Sequence, residues 1–553
     1  MSLNVVCFLS AEIVLVVAAL AIYLGGAFFA SQKAWAPIAF VAILLAAASL
    51  WSCGGNERYS HREIIRWWLS EARETPTTTP AWHYDPADSD PSAPGLAFLD
   101  NSPVIPDPLS AYGRWFALAI GAVMVLVAWQ PLAHGGAPEY LGSLLLVIAG
   151  LMLVASAANL VLLFVGLELV SIPTYILLSL GRRDAAGQES TAKYFYLSVL
   201  ASAILLYGLS FLYGVTGTMQ LTRFPHSPLA TPTGLEPLRA VAMVLVVAGL
   251  CFRLTAAPFH FYAPDVYQGT IQANAALLSA APKAAGLLAL VRLVVQGMPE
   301  TGPHGWKVFL ILAVLTMTLG NVLALWQDNV RRLLAYSSIA NAGYMLIGLA
   351  VRMATGPAND SWDGVGAAFF YLCVYTAATL GTFAVLAYLG RRRQQIETVD
   401  ELAGLGRTHP VMAATLAVCM FSLAGLPPVA GLWGKLLLFG SALNVEAASG
   451  GPLRPWFVAL AIIGVLNAAV GAYYYLRIVS LMYFREPLAV SRAEGGRGAY
   501  LAALACGLAV LVLGFYPAPL MKQCMQAGRG EQGTLERHQD TDSRAISLDA
   551  KHP

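Results

Sequence analysis

The sequence predicts an all-α polytopic membrane protein with about 14 transmembrane helices. Three observations carry that reading. Charged residues make up only 12% of the 553 residues and hydrophobic ones 58%, whereas a soluble domain carries roughly 25% charged residues. Apolar runs of the length a span needs, about 20 residues, recur along most of the chain. Five ionisable side chains, Glu168, Lys193, Arg253, Lys283 and Lys435, stand inside those runs. Each costs about 2.5–3.5 kcal/mol if isolated at the centre of a spanning helix. They must pair or line a hydrated path, which points to charge movement through a membrane rather than chemistry on a soluble substrate.

Composition sets aside several other classes. A net charge of +2 suggests no nucleic-acid partner. The seven cysteines show no C-x-x-C spacing, so neither a zinc nor an iron–sulfur site is expected. There is no P-loop and no G-x-G-x-x-G after a strand, which argues against ATP or a dinucleotide as ligand. The N-terminus lacks a basic region and its apolar run is long. It reads as a first spanning helix, not a signal peptide.

Hydropathy places spans near 7–29, 35–52, 112–131, 140–157, 159–180, 191–215, 238–257, 269–296, 306–326, 333–351, 364–389, 409–440, 456–483 and 498–518. The organisation expected is N-terminal helices over 1–53, a polar loop over 54–111, a third helix and loop over 112–139, a first repeat over 140–297 and a second over 298–484. A loop with the last helix over 485–518 and a polar tail over 519–553 complete it. Within the long loop, HREIIRWWLSEARE has the pattern of a short amphipathic surface helix. The tail shows no apolar periodicity and is expected to be poorly ordered.

Four short basic loops carry Arg182/Arg183, Arg331/Arg332, Arg391/Arg392/Arg393 and Arg485/Arg492/Arg497. They follow the fifth, ninth, eleventh and thirteenth helices, so all four share one face, which the positive-inside rule makes cytoplasmic. Both termini and the long loop then fall on the opposite face.

An inverted repeat is legible. In the seventh helix Phe252-Arg253-Leu254 is followed by Pro258; in the twelfth, Phe421-Ser422-Leu423 is followed by Pro427 and Pro428. The helices are an odd number of spans apart and so run in opposite directions. Broken helices at matching places in inverted halves point to an intramembrane ion site.

Glu168, in LVLLFVGLELVSIP, and Lys193, in ESTAKYFYL, lie on consecutive antiparallel helices and are expected to pair. At about 7 Å and an effective dielectric of about 20 the attraction is roughly 2.4 kcal/mol. A static salt bridge that only fixes packing is the bland alternative. Lys283 follows Pro282 among alanines in SAAPKAAGLLAL. A desolvated lysine gives up its proton more readily than a hydrated one, and the apolar residues on both sides argue against snorkelling. Lys435, in PPVAGLWGKLLLF, takes the same reading. His260 follows Pro258, and histidine suits a proton relay, although a lone histidine is often only a hydrogen-bonded core residue. Glu12 is expected near an interface.

Several segments carry a resemblance. ELVSIPTYIL, KYFYLSVLASAILLYGLSFLYGVTGT, APFHFYAPDVYQG, APKAAGLLAL, SLAGLPPVAGLWGKLLLF and YYYLRIVSLMYF resemble the subunit N family of NADH:quinone oxidoreductase (complex I), to which mitochondrial subunit 2 also belongs. The resemblance covers roughly 108–485. It implies an antiporter-like fold with two inverted five-helix repeats and discontinuous helices 7 and 12. It implies proton translocation through Glu168 and Lys193 as a controlling pair, Lys283 as central lysine, His260 as relay and Lys435 as exit-side lysine. NADH, FMN, iron–sulfur clusters and quinone would belong to partner subunits, with no cofactor in this chain. The partners implied are the antiporter-like subunits M and L, the small subunits K, J, A and H, and the lipid bilayer of a bacterial inner membrane. One departure stands out. The family's usual lysine in the F-K-L motif is Arg253 here, and arginine keeps its proton. It supplies a fixed charge, so the carrier step falls on Lys283. The alternatives are a cation/proton antiporter subunit, at odds with the PDVYQG match, or a structural scaffold with a degenerate channel, which Arg253 keeps open.

Overall fold

The computed structural model of the chain describes residues 3–29, 32–53, 102–130, 135–221, 236–298, 302–356, 363–390, 396–445, 453–487 and 495–529. After a short helical turn, Leu3–Phe8, come α1 (Ser10–Phe28), α2 (Trp35–Cys53), α3 (Pro108–Val127), α4 (Ala137–Ser156), α5 (Leu160–Gly181) and α6 (Ala185–Thr216). They are followed by α7a (Glu236–Leu254), α7b (Ala263–Gly269), α8 (Gln272–Leu290), α9 (Gly302–Ala324), α10 (Val330–Thr355) and α11 (Gly364–Leu389). The last are α12a (Pro410–Ala424), α12b (Ala430–Leu443), α13 (Arg454–Phe484), α14 (Gly496–Phe515) and α15 (Ala518–Arg529). Among the described residues thirteen helices are long and apolar enough to cross a membrane. The two halves of α12, of 15 and 14 residues, together make a fourteenth span.

Side-chain caps set several helix starts. Asp107, Asn159, Asp184, Asn329 and Asp363 accept from first-turn backbone N–H groups of α3, α5, α6, α10 and α11, satisfying donors that have no intrahelical partner. The Asp184 cap starts α6 six residues before the expected 191.

The halves also share a packing device. A Cβ on Gly150 of α4 would lie 2.8 Å from the Leu169 carbonyl carbon of α5, and one on Gly343 of α10 would lie 2.5 Å from the Met317 backbone nitrogen of α9. Glycine lets each pair approach backbone to backbone, which is how helices associate where lipid gives no hydrophobic drive.

Both breaks are present, with a shifted register. Thr255 ends α7a at φ 57° and Gly425 ends α12a at φ 84°. In each the next backbone N–H reaches back five residues, Ala256 to the Cys251 carbonyl at 2.9 Å and Leu426 to the Phe421 carbonyl at 3.0 Å. That is the Schellman closure of a helix end. Each is followed by a cis proline bond, Ala257–Pro258 and Pro427–Pro428. The backbone therefore matches Cys251 to Phe421 and Arg253 to Leu423. The F-x-L match is one residue out of step with the geometry, because the turn, not the flanking phenylalanine, fixes where the helix stops.

Four loops converge on one face. Glu397, before α12a, meets Arg331 at 3.2 Å and Arg182 at 3.7 Å; Arg477 of α13 meets Asp328 at 2.9 Å; Arg485 meets Asp400 at 3.6 Å. The Arg182 guanidinium beside Asp184 holds that carboxyl below its usual range. Arg391, Arg392, Arg393 and Arg492 lie outside the described residues, as does the surface helix expected at HREIIRWWLSEARE.

Two expectations change. The beginning of the tail is helix α15, which buries Cys524, Met525, Ala527 and Gly528; its buried face was hidden among polar residues. Glu12 stands in the first turn of α1, buried within the protein and paired with Arg114 of α3 at 2.7 Å. The count of five intramembrane charges was too low as well. Arg292 pairs with Asp107 at 2.5 Å and Arg352 with Asp363 at 3.3 Å, all four of them nearly or fully buried. These charges sit near helix ends, where a hydropathy window does not register them as intramembrane.

Candidate functional site

Glu168 sits on α5 five residues before Pro173. Its partner is Arg253, the second-last residue of α7a. Arg253 Nη2 donates to Glu168 Oε1 at 2.8 Å and to Ser202 Oγ at 3.2 Å. Nη1 donates to the Leu167 carbonyl at 3.0 Å and to Ser171 Oγ. Ser202 of α6 in turn donates to Glu168 Oε1 at 2.6 Å. The guanidinium is 5% exposed and the carboxylate 22%. A buried cation with four acceptors is held as a fixed charge.

The ion pair expected between Glu168 and Lys193 does not form. Lys193 Nζ binds Asp265 Oδ2 of α7b at 2.8 Å and Glu189 Oε1, one turn back on α6, at 2.7 Å. The reason is register. Glu168 lies level with Ser202, and Lys193 is nine residues earlier on α6, about 13.5 Å along the axis at 1.5 Å per residue. Lys193 is also 39% exposed rather than enclosed. Asp265 bridges onward, its Oδ1 accepting from Arg332 Nη1 of α10 at 2.6 Å.

Lys283 is fully buried in α8. Gly286, one turn on, makes room for Arg253, whose Cβ would lie 3.1 Å from a Cβ there. Lys283 Nζ turns the other way and donates to the Ser338 carbonyl of α10 at 2.5 Å. Its ammonium also lies 5.8 Å from the centre of the Tyr375 ring. His260 stands half-buried in the turn between α7a and α7b, and its buried Nδ1 meets no partner in hydrogen-bonding geometry.

From Lys283 a set of neutral polar side chains leads into the second half. Ser338 Oγ meets Tyr375 Oη at 2.7 Å, and the adjacent Ser337 Oγ meets Tyr475 Oη at 2.5 Å. Asn341 donates to Tyr475 Oη at 3.2 Å and accepts from Tyr371 Oη at 2.5 Å. Tyr474, against Tyr475, donates to Asn321 Oδ1 at 2.9 Å, and Asn321 donates to Tyr344 Oη at 3.1 Å. Lys435 of α12b lies 5.3 Å from the centre of the Tyr344 ring. Its Nζ donates to the Leu423 and Ala424 carbonyls, both at 2.8 Å. It caps the C-terminal end of α12a, where a cation is favoured.

The structure thus joins Glu168 to Arg253, sets Lys193 apart, and brings Lys283 and Lys435 to a common network. Sequence reading missed Asp265, Ser171, Ser202, Asn321, Asn341 and the tyrosines. Asp265, Ser171, Ser202, Tyr474 and Tyr475 stood in the segments quoted for the resemblance, whereas Asn321, Asn341, Tyr344, Tyr371 and Tyr375 did not. Among the described residues no three His, Cys, Asp or Glu side chains converge on a metal site.

Residues 157–476 match the family model described as NADH:quinone oxidoreductase/Mrp antiporter, TM. NADH-quinone oxidoreductase subunit N of Herminiimonas arsenicoxydans is 36% identical over 446 residues, covering 79% of this chain and 88% of that one. The chain belongs to this family. Subunit N of Rhizorhabdus wittichii is 40% identical over 428 residues, covering 75% and 83% of the two chains. A chain of respiratory complex I from Thermus thermophilus, solved with bound aureothin, superposes with a TM-score of 0.70 at 30% identity, covering 93% of this chain and 98% of that one. A chain of the Mrp complex from Dietzia sp. DQ12-45-1b, at 21% identity and a TM-score of 0.71 over 96% and 97% of the chains, shares the fold. This member of the subunit N family is a multi-pass membrane protein with the antiporter-like fold, its helices 7 and 12 both interrupted.

Proposed function

We propose that the chain is a proton-translocating membrane-arm subunit of a respiratory NADH:quinone oxidoreductase. Its proton pathway runs through Glu168, Lys193, Arg253, His260, Lys283 and Lys435. The observation that carries this reading is Lys283, a lysine without solvent contact whose ammonium stands at the head of a network ending at Lys435. In that reading Arg253 is a fixed charge that holds Glu168, and Lys283 and Lys435 take up and release the proton. His260 relays beside the break, and the Tyr/Asn/Ser network links the two lysines. Electron transfer from NADH to quinone through FMN and iron–sulfur clusters falls to partner subunits, among them the neighbours M, L, K, J, A and H. We place the chain in a bacterial inner membrane with both termini on the non-cytoplasmic side, and its repeats over 140–297 and 298–484.

The test is Lys283→Met in the assembled complex, reconstituted in vesicles. Protons moved per electron pair should fall while the complex still assembles. Pumping at the wild-type ratio overturns the reading.

A further inference from the structure

Asp265 grips a cation from each half of the fold. Its Oδ2 takes Lys193 of α6 at 2.8 Å and its Oδ1 takes Arg332 of α10 at 2.6 Å. The remaining groups facing this cluster are Glu189, on Lys193 at 2.7 Å, and two neutral amides. Gln268 Oε1 accepts from Arg332 Nη1 at 3.0 Å and Gln327 Oε1 accepts from Arg332 Nε at 3.3 Å. Two cations meet two carboxylates, so the cluster is neutral when Lys193 holds its proton and anionic when it does not. Asp265 and Lys435 each lie ten residues past the left-handed residue that ends the preceding helix, Thr255 and Gly425. Each half thus carries one ionisable side chain at that distance beyond its break.

We propose that Asp265 is a positioning residue of the proton pathway: it holds the Lys193 ammonium at the loop face, away from Glu168, and couples that position to Arg332 in the other half. This rests on the reading of Lys193 as a pathway residue. A structural ion pair explains the cluster less well. Lys193 and Asp265 are 39% and 38% exposed, and pairs that open to solvent add little to stability. Without Asp265, two cations face a single carboxylate. Lys193 then keeps Glu189 alone and is freer to turn along α6 toward Glu168, or loses its proton. Either change alters pumping without unfolding the chain.

The experiment compares Asp265→Asn, Asp265→Glu, Lys193→Met and the double variant Asp265→Asn/Lys193→Met, each in the assembled complex in vesicles. The readouts are initial proton uptake and quinone reduction. Asp265→Asn should slow proton uptake about threefold or more, in the range expected for lost coupling. Asp265→Glu should restore most of it, because the carboxylate is kept. The double variant should be no worse than Lys193→Met alone, because both changes act on one group. Wild-type uptake in Asp265→Asn beside an impaired Lys193→Met overturns this inference alone, and so do losses that add in the double variant. A Lys193→Met that pumps normally overturns the pathway role of Lys193 and this inference with it. Should Asp265→Asn not assemble, Asp265→Glu decides. With uptake as low as in Lys193→Met it shows that the carboxylate does not act by holding Lys193, and near-normal uptake supports the proposal.

Discussion

Arg253 donates to Glu168 at 2.8 Å, and Ser202 fastens the pair by bonding both partners, at 2.6 Å to the carboxylate and 3.2 Å to the guanidinium. Three helices, α5, α6 and α7a, meet in that one arrangement. A lysine has no planar fork with which to engage the Leu167 carbonyl, Ser171, Ser202 and Glu168 together. The arginine therefore gives the pair more anchors and removes the option of deprotonation.

Arg253→Lys should keep much of the pumping activity, because a cation stays beside Glu168. Arg253→Met should do more damage. It leaves a carboxylate that is 22% exposed without its cation, and breaking a buried pair costs about 3–5 kcal/mol. Some solvent access puts Glu168 toward the lower end. The check is proton uptake together with thermal stability of both variants in the assembled complex. Equal behaviour of Lys and Met at this position would show that charge is not what matters there.

Glu168→Gln should lower pumping and the coupled quinone reductase rate with assembly intact. The glutamine carbonyl still accepts from Arg253 and Ser202, so the hydrogen bonds survive while the negative charge is lost. Wild-type proton stoichiometry in reconstituted vesicles would rule the carboxylate out of the pathway.

Much of this was legible in the chain. Spans follow from length and hydropathy, and the prolines after Leu254 and Leu423 mark both breaks. What failed depended on helix registers. Whether Glu168 faces Lys193 or Ser202 turns on how far α5 slides along α6, and nothing in either helix alone fixes that. Asp265 and the Glu12–Arg114 pair escaped for a related reason: each needs a partner from a helix distant in sequence. The network of Asn321, Asn341 and the tyrosines has no local signature, because tyrosine and asparagine in an apolar helix look like interface residues until their partners are known.

Topology can be checked on exposed described residues. Glu486, 88% exposed after α13, stands on the face of the four basic loops, and the exposed Lys522 on α15 stands after the next span, α14. The variants Glu486→Cys and Lys522→Cys should take an impermeant thiol reagent from opposite sides, the first from the cytoplasm. Labelling of both from one side would contradict the span count, and labelling of Glu486→Cys only from outside would reverse the orientation.

Asn341 flanks the link between Lys283 and Lys435 at Tyr475: it accepts from Tyr371 at 2.5 Å and donates to Tyr475 at 3.2 Å, while Ser337 bonds Tyr475 directly. Asn341→Leu fills a similar volume but strands the Tyr371 hydroxyl in a buried site, at about 1–3 kcal/mol for the group left unsatisfied, and takes a donor from Tyr475, which keeps Ser337. Tyr371→Phe removes one donor and strands one acceptor, at a similar cost by the same measure but with the Asn341 bond to Tyr475 kept. Both should lower the melting temperature, with Asn341→Leu the lower of the two. If Asn341 orients the Tyr475 hydroxyl for proton transfer, both should also slow uptake below what the loss of stability explains, because each disturbs a partner of that hydroxyl. The measurement is proton uptake at a temperature where all three proteins are fully folded. Uptake equal to wild type in Asn341→Leu would mean that proton movement needs neither Asn341 nor Tyr371, and that their bonds serve only to pack α10 against α11 and α13.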